Sequence, residues 1–294
     1  MGTRREFLAG ATAFAGAAAV ATAAPRMREI GGFPLEEPVR RLERRSGGRL
    51  GVALLDTGSR RRFAWRSDER FPLCSTFKFL LAADILQRVD AGRERLDRRL
   101  RVPATRLGNS DFSKSRAGRD ASIAELCKAI VEISDNEGAN LLLGQIGGPT
   151  GLTRFVRAIG DPVTRLDRFE TMMSDAVPGD IRDTGTPNEM AANFERILLG
   201  GVLRPASRAL LTDWLVGVQT GERRLKAGLP LGWRIGHKTG SGAHGTANDV
   251  AIVWPGRRPP FILSTYLTGS TLGDEGRDAV LADLARAVAA RFGG

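Results

Sequence analysis

The chain has 294 residues, 42% hydrophobic and 26% charged, with a formal net charge of +11. That length supports one large domain or two intimate ones, and the composition is that of an ordinary globular protein. No stretch is apolar enough to stay in a membrane. The basic residues are interleaved with acids and no nucleic-acid module is recognisable, so no nucleic-acid partner is expected.

In chain order, residues 1–23 read as a removable export signal. The pair Arg4 and Arg5 precedes Phe7, Leu8 and an Ala-rich run to Ala24, the form of a twin-arginine signal for export of folded protein. Ala21-Thr22-Ala23 has the small-x-small form of a cleavage site. No Cys follows to accept a lipid, so a periplasmic or secreted product without a membrane anchor is expected. Residues 34–46 have a helical pattern. "RLGVALLDT" reads as a strand, "TGSR" as a turn and "RRFAWRS" as the hairpin partner. From Ser75 to about Trp214 the pattern is helical. Within it, "SIAE" at 122–125 has the form of a capping box, and Ile123, Leu126, Cys127 and Ile130 follow at helical spacing. Strands return in "GWRIGHKTG", "ANDVAIVW" and "PFILSTYLTG", and a helix over 274–292 closes the chain.

Strands at both ends with helices between them predict an α/β (α+β) fold. One antiparallel sheet is built from both ends and flanked by the terminal helices, an all-helical domain is inserted, and a cleft forms at the junction. The expected boundaries are 24–72 with 215–294 for the sheet and 73–214 for the helices. The second span includes a Pro/Gly/Asp-rich loop over 165–187.

Two cysteines are present, Cys74 and Cys127. Export permits a bridge between them, but the apolar face around Cys127 favours a buried thiol. With two histidines, His237 and His244, and two cysteines, a catalytic metal site has no support, and no cofactor is expected.

"LCSTFKFLLAADIL" at 73–86 places Ser75 and Lys78 three residues apart, on one face of a helix start. Two readings fit: a capping serine with a snorkelling lysine, or a nucleophile beside its own base. Three further stretches bear on the choice. "SDN" is Ser134-Asp135-Asn136, between two helical segments. "RLDRFE" ends at Glu170. "KTG" is Lys238-Thr239-Gly240, on a strand, followed by Ser241 and Gly242. Ser-x-x-Lys, SDN and KTG in this order form the signature of class A β-lactamases and penicillin-binding proteins. With the glutamate loop between the last two, the chain resembles a class A serine β-lactamase over nearly its whole mature length.

The resemblance implies a monomer that hydrolyses a small-molecule partner, the β-lactam ring of penicillins and cephalosporins. Ser75 is then the nucleophile, and Lys78 its proton acceptor or electrostatic helper. Ser134 passes a proton to the leaving nitrogen, and Glu170 is the general base for the hydrolytic water. The backbone N–H groups of Ser75 and Ser241 form the oxyanion hole. Asn136 binds the substrate's side-chain amide. Lys238, Thr239, Ser241 and Arg224 hold its carboxylate, with Arg223 as the solvated alternative to Arg224. Arg168 and Asp183 pair to close the loop, Asp135 organises its turn, and Asn109 stands at the cleft mouth where an aromatic is common.

Four positions depart from the family pattern. Ala247 stands where an arginine is frequent, and His237 where an aspartate is frequent. Ser174 replaces an asparagine that helps to hold the hydrolytic water. Gly242 occupies the site where some relatives place a disulfide partner for Cys74, so that bridge is not inferred. Two rivals share the motifs, a D,D-peptidase and a non-hydrolysing β-lactam sensor. Glu170 argues against the first, and turnover decides the second.

Overall fold

The structure, a computed structural model, describes residues 33–104 and 110–292. The export signal and Asn109 lie outside the described residues. Helix α1 (Glu36–Ser46) leads into β1 (Arg49–Asp56), β2 (Arg62–Trp65) and the short β3 (Phe71–Pro72). A 3₁₀ turn, Cys74–Thr76, runs straight into α2 (Phe77–Asp90). There follow β4 (Arg99–Arg101), α3 (Asp111–Arg116), β5 (Asp120–Ser122), α4 (Ile123–Glu132), α5 (Asn136–Ile146) and α6 (Gly148–Ala158). After a long loop come β6 (Thr184–Gly185), α7 (Pro187–Leu198), α8 (Pro205–Val216), α9 (Leu225–Gly228), β7 (Arg234–Gly242), β8 (Thr246–Trp254), β9 (Phe261–Thr268) and α10 (Asp274–Ala289).

The main sheet is antiparallel in the order β2-β1-β9-β8-β7, so strands from the two ends of the chain join at β1 and β9. Alternation divides its residues between two cores. Leu50, Val52, Leu54, Val253, Leu263 and Leu267 face α1 and α10, packing with Val39, Leu42, Leu281 and Leu284. Ala53, Leu55, Val250, Ile252, Ile262 and Tyr266 face the helices of the other core. There α2 is the central element. Every residue from Phe77 to Leu86 is buried, as expected of a helix apolar all round. Each large aliphatic or aromatic side chain so buried contributes about 1.5–3 kcal/mol. The helix that carries Lys78 is therefore held from all sides.

Local chemistry sets the element ends. Ser122 and Glu125 exchange both bonds of a capping box at 3.1 and 2.8 Å, so the sequence signal at 122–125 starts α4. Asp135 caps α5 by accepting from the Gly138 N–H at 2.5 Å. It also accepts from the hydroxyls of Ser110 and Ser113, which ties the SDN turn to α3. The structure differs from the sequence reading at three places. Helix α1 begins at Glu36 rather than Pro34, because Leu35 is the cap and the acids Glu36 and Glu37 fill the first turn. Helix α10 ends at Ala289, and the last turn instead seats Phe292 between Phe33 and Phe261. The span expected to be helical also holds three short strands. β4 pairs with β5, and β6 pairs back to β3; pieces of two or three residues leave no periodic signal. Cys74 and Cys127 are both free and buried.

Candidate active site

Strand β7 lies against the 3₁₀ turn that carries Ser75. A Cβ on Gly240 would meet Leu73 O at 3.0 Å and Cys74 Cβ and Thr76 Cγ2 at 3.2 Å. Glycine in KTG thus permits the approach of strand to turn. The turn is itself constrained. Cys74 has φ 44°, in the left-handed region that side chains rarely adopt. Asn248 Nδ2 on β8 donates to Pro72 O at 2.9 Å and Leu73 O at 3.2 Å. The Thr76 hydroxyl donates to Leu73 O at 2.7 Å and lies 3.0 Å from the Tyr266 hydroxyl.

Six of the motif residues converge above this turn: Ser75, Lys78, Ser134, Asn136, Glu170 and Lys238. Ser75 Oγ is 3.5 Å from Glu170 Oε1, and Lys78 Nζ is 2.9 Å from the same oxygen. Lys78 Nζ also donates to Ser134 O at 2.8 Å and Asn136 Oδ1 at 2.5 Å. An ammonium has three donors, and these three oxygens use them all. Ser134, at φ 60°, has its hydroxyl between two lysines, 3.4 Å from Lys78 Nζ and 3.1 Å from Lys238 Nζ. Lys238 also donates to Thr239 O at 3.0 Å.

Both lysines are fully buried. Burial holds Lys78 below the ordinary lysine range, opposed by the Glu170 carboxylate. Burial pushes Lys238 well below that range, the charge of Lys78 adds to the effect, and Asp249 opposes it. The cleft wall thus holds two lysines in a poorly solvated place with Arg224 nearby, a field that favours an anion.

Glu170 is gripped by its main chain. Asn140 Nδ2 donates to Glu170 O, and Asn140 Oδ1 accepts from Glu170 N–H, each at 2.9 Å. The loop that bears it closes on the buried Asp183 and the half-buried Asp167. Asp183 accepts from Arg168 Nε at 2.6 Å and from the N–H groups of Asp167 and Arg168 at 2.7 and 3.0 Å. Asp167 accepts in return from the Asp183 N–H at 2.9 Å. At the far end, Ser174 Oγ is 3.5 Å from Glu170 Oε2, and Ser174 O accepts from the Ala243 N–H at 3.1 Å. This ties the loop to the residue after β7.

Arg224 reaches the end of β7. It donates to Ser241 Oγ at 2.7 Å and to Gly240 O and Asn248 O at 2.9 Å, and it pairs with Asp278 at 2.8 Å. Arg223 points away, exposed, to Glu275 at 3.1 Å. Thr239 Oγ1 lies 2.6 Å from Thr220 Oγ1. Asn140, Thr220, Tyr266 and Asp249 were missing from the sequence reading. Asn140 alone had a usable signal, standing four residues after Asn136 on the same helix face. The others arrive by sheet register or loop contact.

A serine, a lysine and a carboxylate are joined within 3.5 Å, beside a strand pressed against the serine's turn, and these are the groups that acyl transfer through a serine requires. Comparison with known proteins places the chain in a family. The model of the beta-lactamase enzyme family matches residues 34–292. Beta-lactamase L2 of Stenotrophomonas maltophilia is 45% identical over 247 residues, 83% of this chain and 82% of its own length. The carbapenem-hydrolyzing beta-lactamase KPC of Klebsiella oxytoca is 43% identical over 252 residues, 85% of this chain and 86% of its own. Among solved structures, an ancestral class A β-lactamase superposes with a TM-score of 0.86 at 54% identity, covering 88% of this chain and 100% of that one. The chain belongs to the β-lactamase enzyme family, in class A.

Proposed function

We propose that this protein hydrolyses the β-lactam amide of penicillins and cephalosporins through an acyl-enzyme on Ser75, and so confers resistance to these antibiotics. The observation that carries the reading is the contact of Glu170 Oε1 with both Ser75 Oγ at 3.5 Å and Lys78 Nζ at 2.9 Å. Lys78 Nζ has three oxygens within 2.9 Å, a setting that suits an ammonium, which has no lone pair for the serine proton. Glu170 is then the base that takes the Ser75 proton as Oγ attacks the ring carbonyl. The N–H groups of Ser75 and Ser241 receive the developing oxyanion, a donor pair of which each member is typically worth about 10²–10³ in rate. Ser134, between the two lysines, gives its proton to the leaving ring nitrogen, and Lys78, which touches both Glu170 and Ser134, passes the proton held on Glu170 to the Ser134 oxygen. Glu170, a carboxylate again, then takes a proton from the water that attacks the ester and returns it to Ser75 Oγ as the acyl group leaves.

Substrate is held on both sides of this centre. Lys238, with the hydroxyls of Thr239 and Ser241, receives the carboxylate, and Arg224 holds the Ser241 hydroxyl from behind. Asn136 offers its amide to the substrate's side-chain amide. We read residues 24–72 with 215–294, and 73–214, as the two domains that meet at this cleft. No helix among the described residues is long and apolar enough to cross a membrane. That fits an exported enzyme carried to the periplasm by the Arg4-Arg5 signal. Replacing both arginines by lysine should leave precursor in the cytoplasm; normal periplasmic activity in a host that depends on this route would refute the export reading.

The direct test is hydrolysis of a penicillin by mature protein and by Ser75→Ala. Wild type should turn over many times, and Ser75→Ala should lose covalent labelling and several orders of magnitude in rate. A wild type that stops after one turnover is a sensor or a peptidase. A full-occupancy adduct on Ser75→Ala moves the nucleophile elsewhere.

A further inference from the structure

His237 precedes Lys238 on β7, so alternation along the strand sends its side chain to the face opposite Lys238. There it is almost wholly buried, at 1% exposure, as is Asp249 on β8, at 0%. His237 Nδ1 lies 2.9 Å from Asp249 Oδ1. The second carboxylate oxygen of Asp249 accepts from the Leu225 N–H at 3.3 Å. Leu225 directly follows Arg224, whose guanidinium braces the Ser241 hydroxyl and the Gly240 carbonyl. Asp249 therefore joins the imidazole, on one side, to the segment that presents Arg224, on the other. Directly across the register from Asp249 stands Thr239.

We propose that His237 is a positioning residue for the carboxylate-binding end of the cleft: it donates from Nδ1 to Asp249, which holds that buried carboxylate in register with Thr239 and fastened to the Arg224 segment. The inference rests on the β-lactam hydrolysis proposed above. A buried carboxylate is costly unless its oxygens are satisfied, and the imidazole N–H satisfies one of them. Without it, the Asp249 carboxylate keeps, among the described residues, the Leu225 N–H at 3.3 Å. The consequence reaches the cleft: the segment that presents Arg224, and with it the brace on the Ser241 hydroxyl, loses an anchor. The ionisable groups around this pair are Lys238 beside it on β7, Arg224 ahead of α9, and Asp278 on α10, which pairs with Arg224.

The test compares a penicillin with its methyl ester, which lacks the carboxylate. In His237→Leu, kcat/KM for the acid should fall about tenfold, mainly through KM, the size of one weakened charge-assisted contact. The ester should change little. His237→Asn, whose amide donates from nearly the same place, should restore most of the loss. Equal falls on acid and ester with no recovery in His237→Asn would mean a packing role only, and would overturn the proposal. A second measurement needs no variant at 237. With His244→Gln leaving a single imidazole, ¹⁵N NMR of the mature protein should show the Nδ1–H tautomer or the doubly protonated ring. A bare Nδ1 would overturn the proposal whatever the variants do. If wild type hydrolyses no β-lactam, the function itself fails; if it does and the acid-to-ester ratio is unmoved, only the role of His237 fails.

Discussion

Glu170→Gln isolates the chemistry of the base from the shape of its loop. The grip of Asn140 uses Glu170 N–H and C=O, not the carboxylate, and the Arg168–Asp183 closure lies outside the changed side chain. A glutamine of the same size should leave the loop in place while removing proton acceptance. Loss of a general base costs about 10²–10⁴-fold, or about 3–5 kcal/mol of barrier at 1.36 kcal/mol per decade. The two half-reactions should not suffer equally. Lys78 touches the Glu170 carboxylate at 2.9 Å while its burial disfavours the charge. Once that carboxylate is neutral, Lys78 more readily becomes an amine and can accept the Ser75 proton itself. Acylation then continues at a reduced rate, but the hydrolytic water has lost its base. Rapid mixing with a chromogenic cephalosporin, followed by intact-protein mass spectrometry, should show a stable adduct on Ser75 and a steady rate at least about a hundredfold below wild type. Steady turnover within threefold of wild type would refute the assignment of Glu170, as would an acyl-enzyme that clears at the wild-type rate.

Arg224→Ala should raise KM for carboxylate-bearing substrates about tenfold or more, since charge-assisted bonds to Ser241 and the strand end are lost, whereas the exposed Arg223→Ala should do little; reversed steady-state results would overturn this choice of arginine. Ser174 reaches Glu170 only at 3.5 Å, so deacylation should be the slow step in wild type, and Ser174→Asn should raise the steady rate without enlarging the burst; an unchanged steady rate would count against it. Lys238 must be protonated to hold a carboxylate, and its pKa is depressed well below the ordinary 10.5. The alkaline limb of kcat/KM, which reports the free enzyme, should therefore fall below pH 10.5, with activity lost as pH rises. In kcat the limb should lie higher, because bound anionic substrate restores the charge; a kcat/KM limb at or above 10.5 would refute the depressed lysine.

Much of this protein is written in short-range patterns. Short apolar runs at 49–56, 246–254 and 261–268 and helical spacing in 123–130 declared the strands and α4; the runs are nearly continuous because these strands are buried on both faces, whereas a helix buried on one face leaves a period. Ser75, Lys78, Ser134, Glu170 and Lys238 could be named because their motifs are local. Their contacts were not legible there. Nothing in the order of residues states that Ser134 Oγ sits between Lys78 and Lys238, or that Lys78 meets both the SDN turn and the Glu170 loop. Those facts depend on β7 closing against the 3₁₀ turn and on the loop folding back to α5. The sequence by itself determined which groups can ionise, donate or attack, and where the apolar faces lie. Only the tertiary structure decided which arginine meets Ser241, that Asn140 grips Glu170, that the two cysteines stay apart, and that His237 meets Asp249. The physical reason is range. Side-chain periodicity is set within a few residues, whereas the distances and burial that fix charge states are set by strands and loops far apart in the chain, such as those of Thr76 and Tyr266, 190 residues apart.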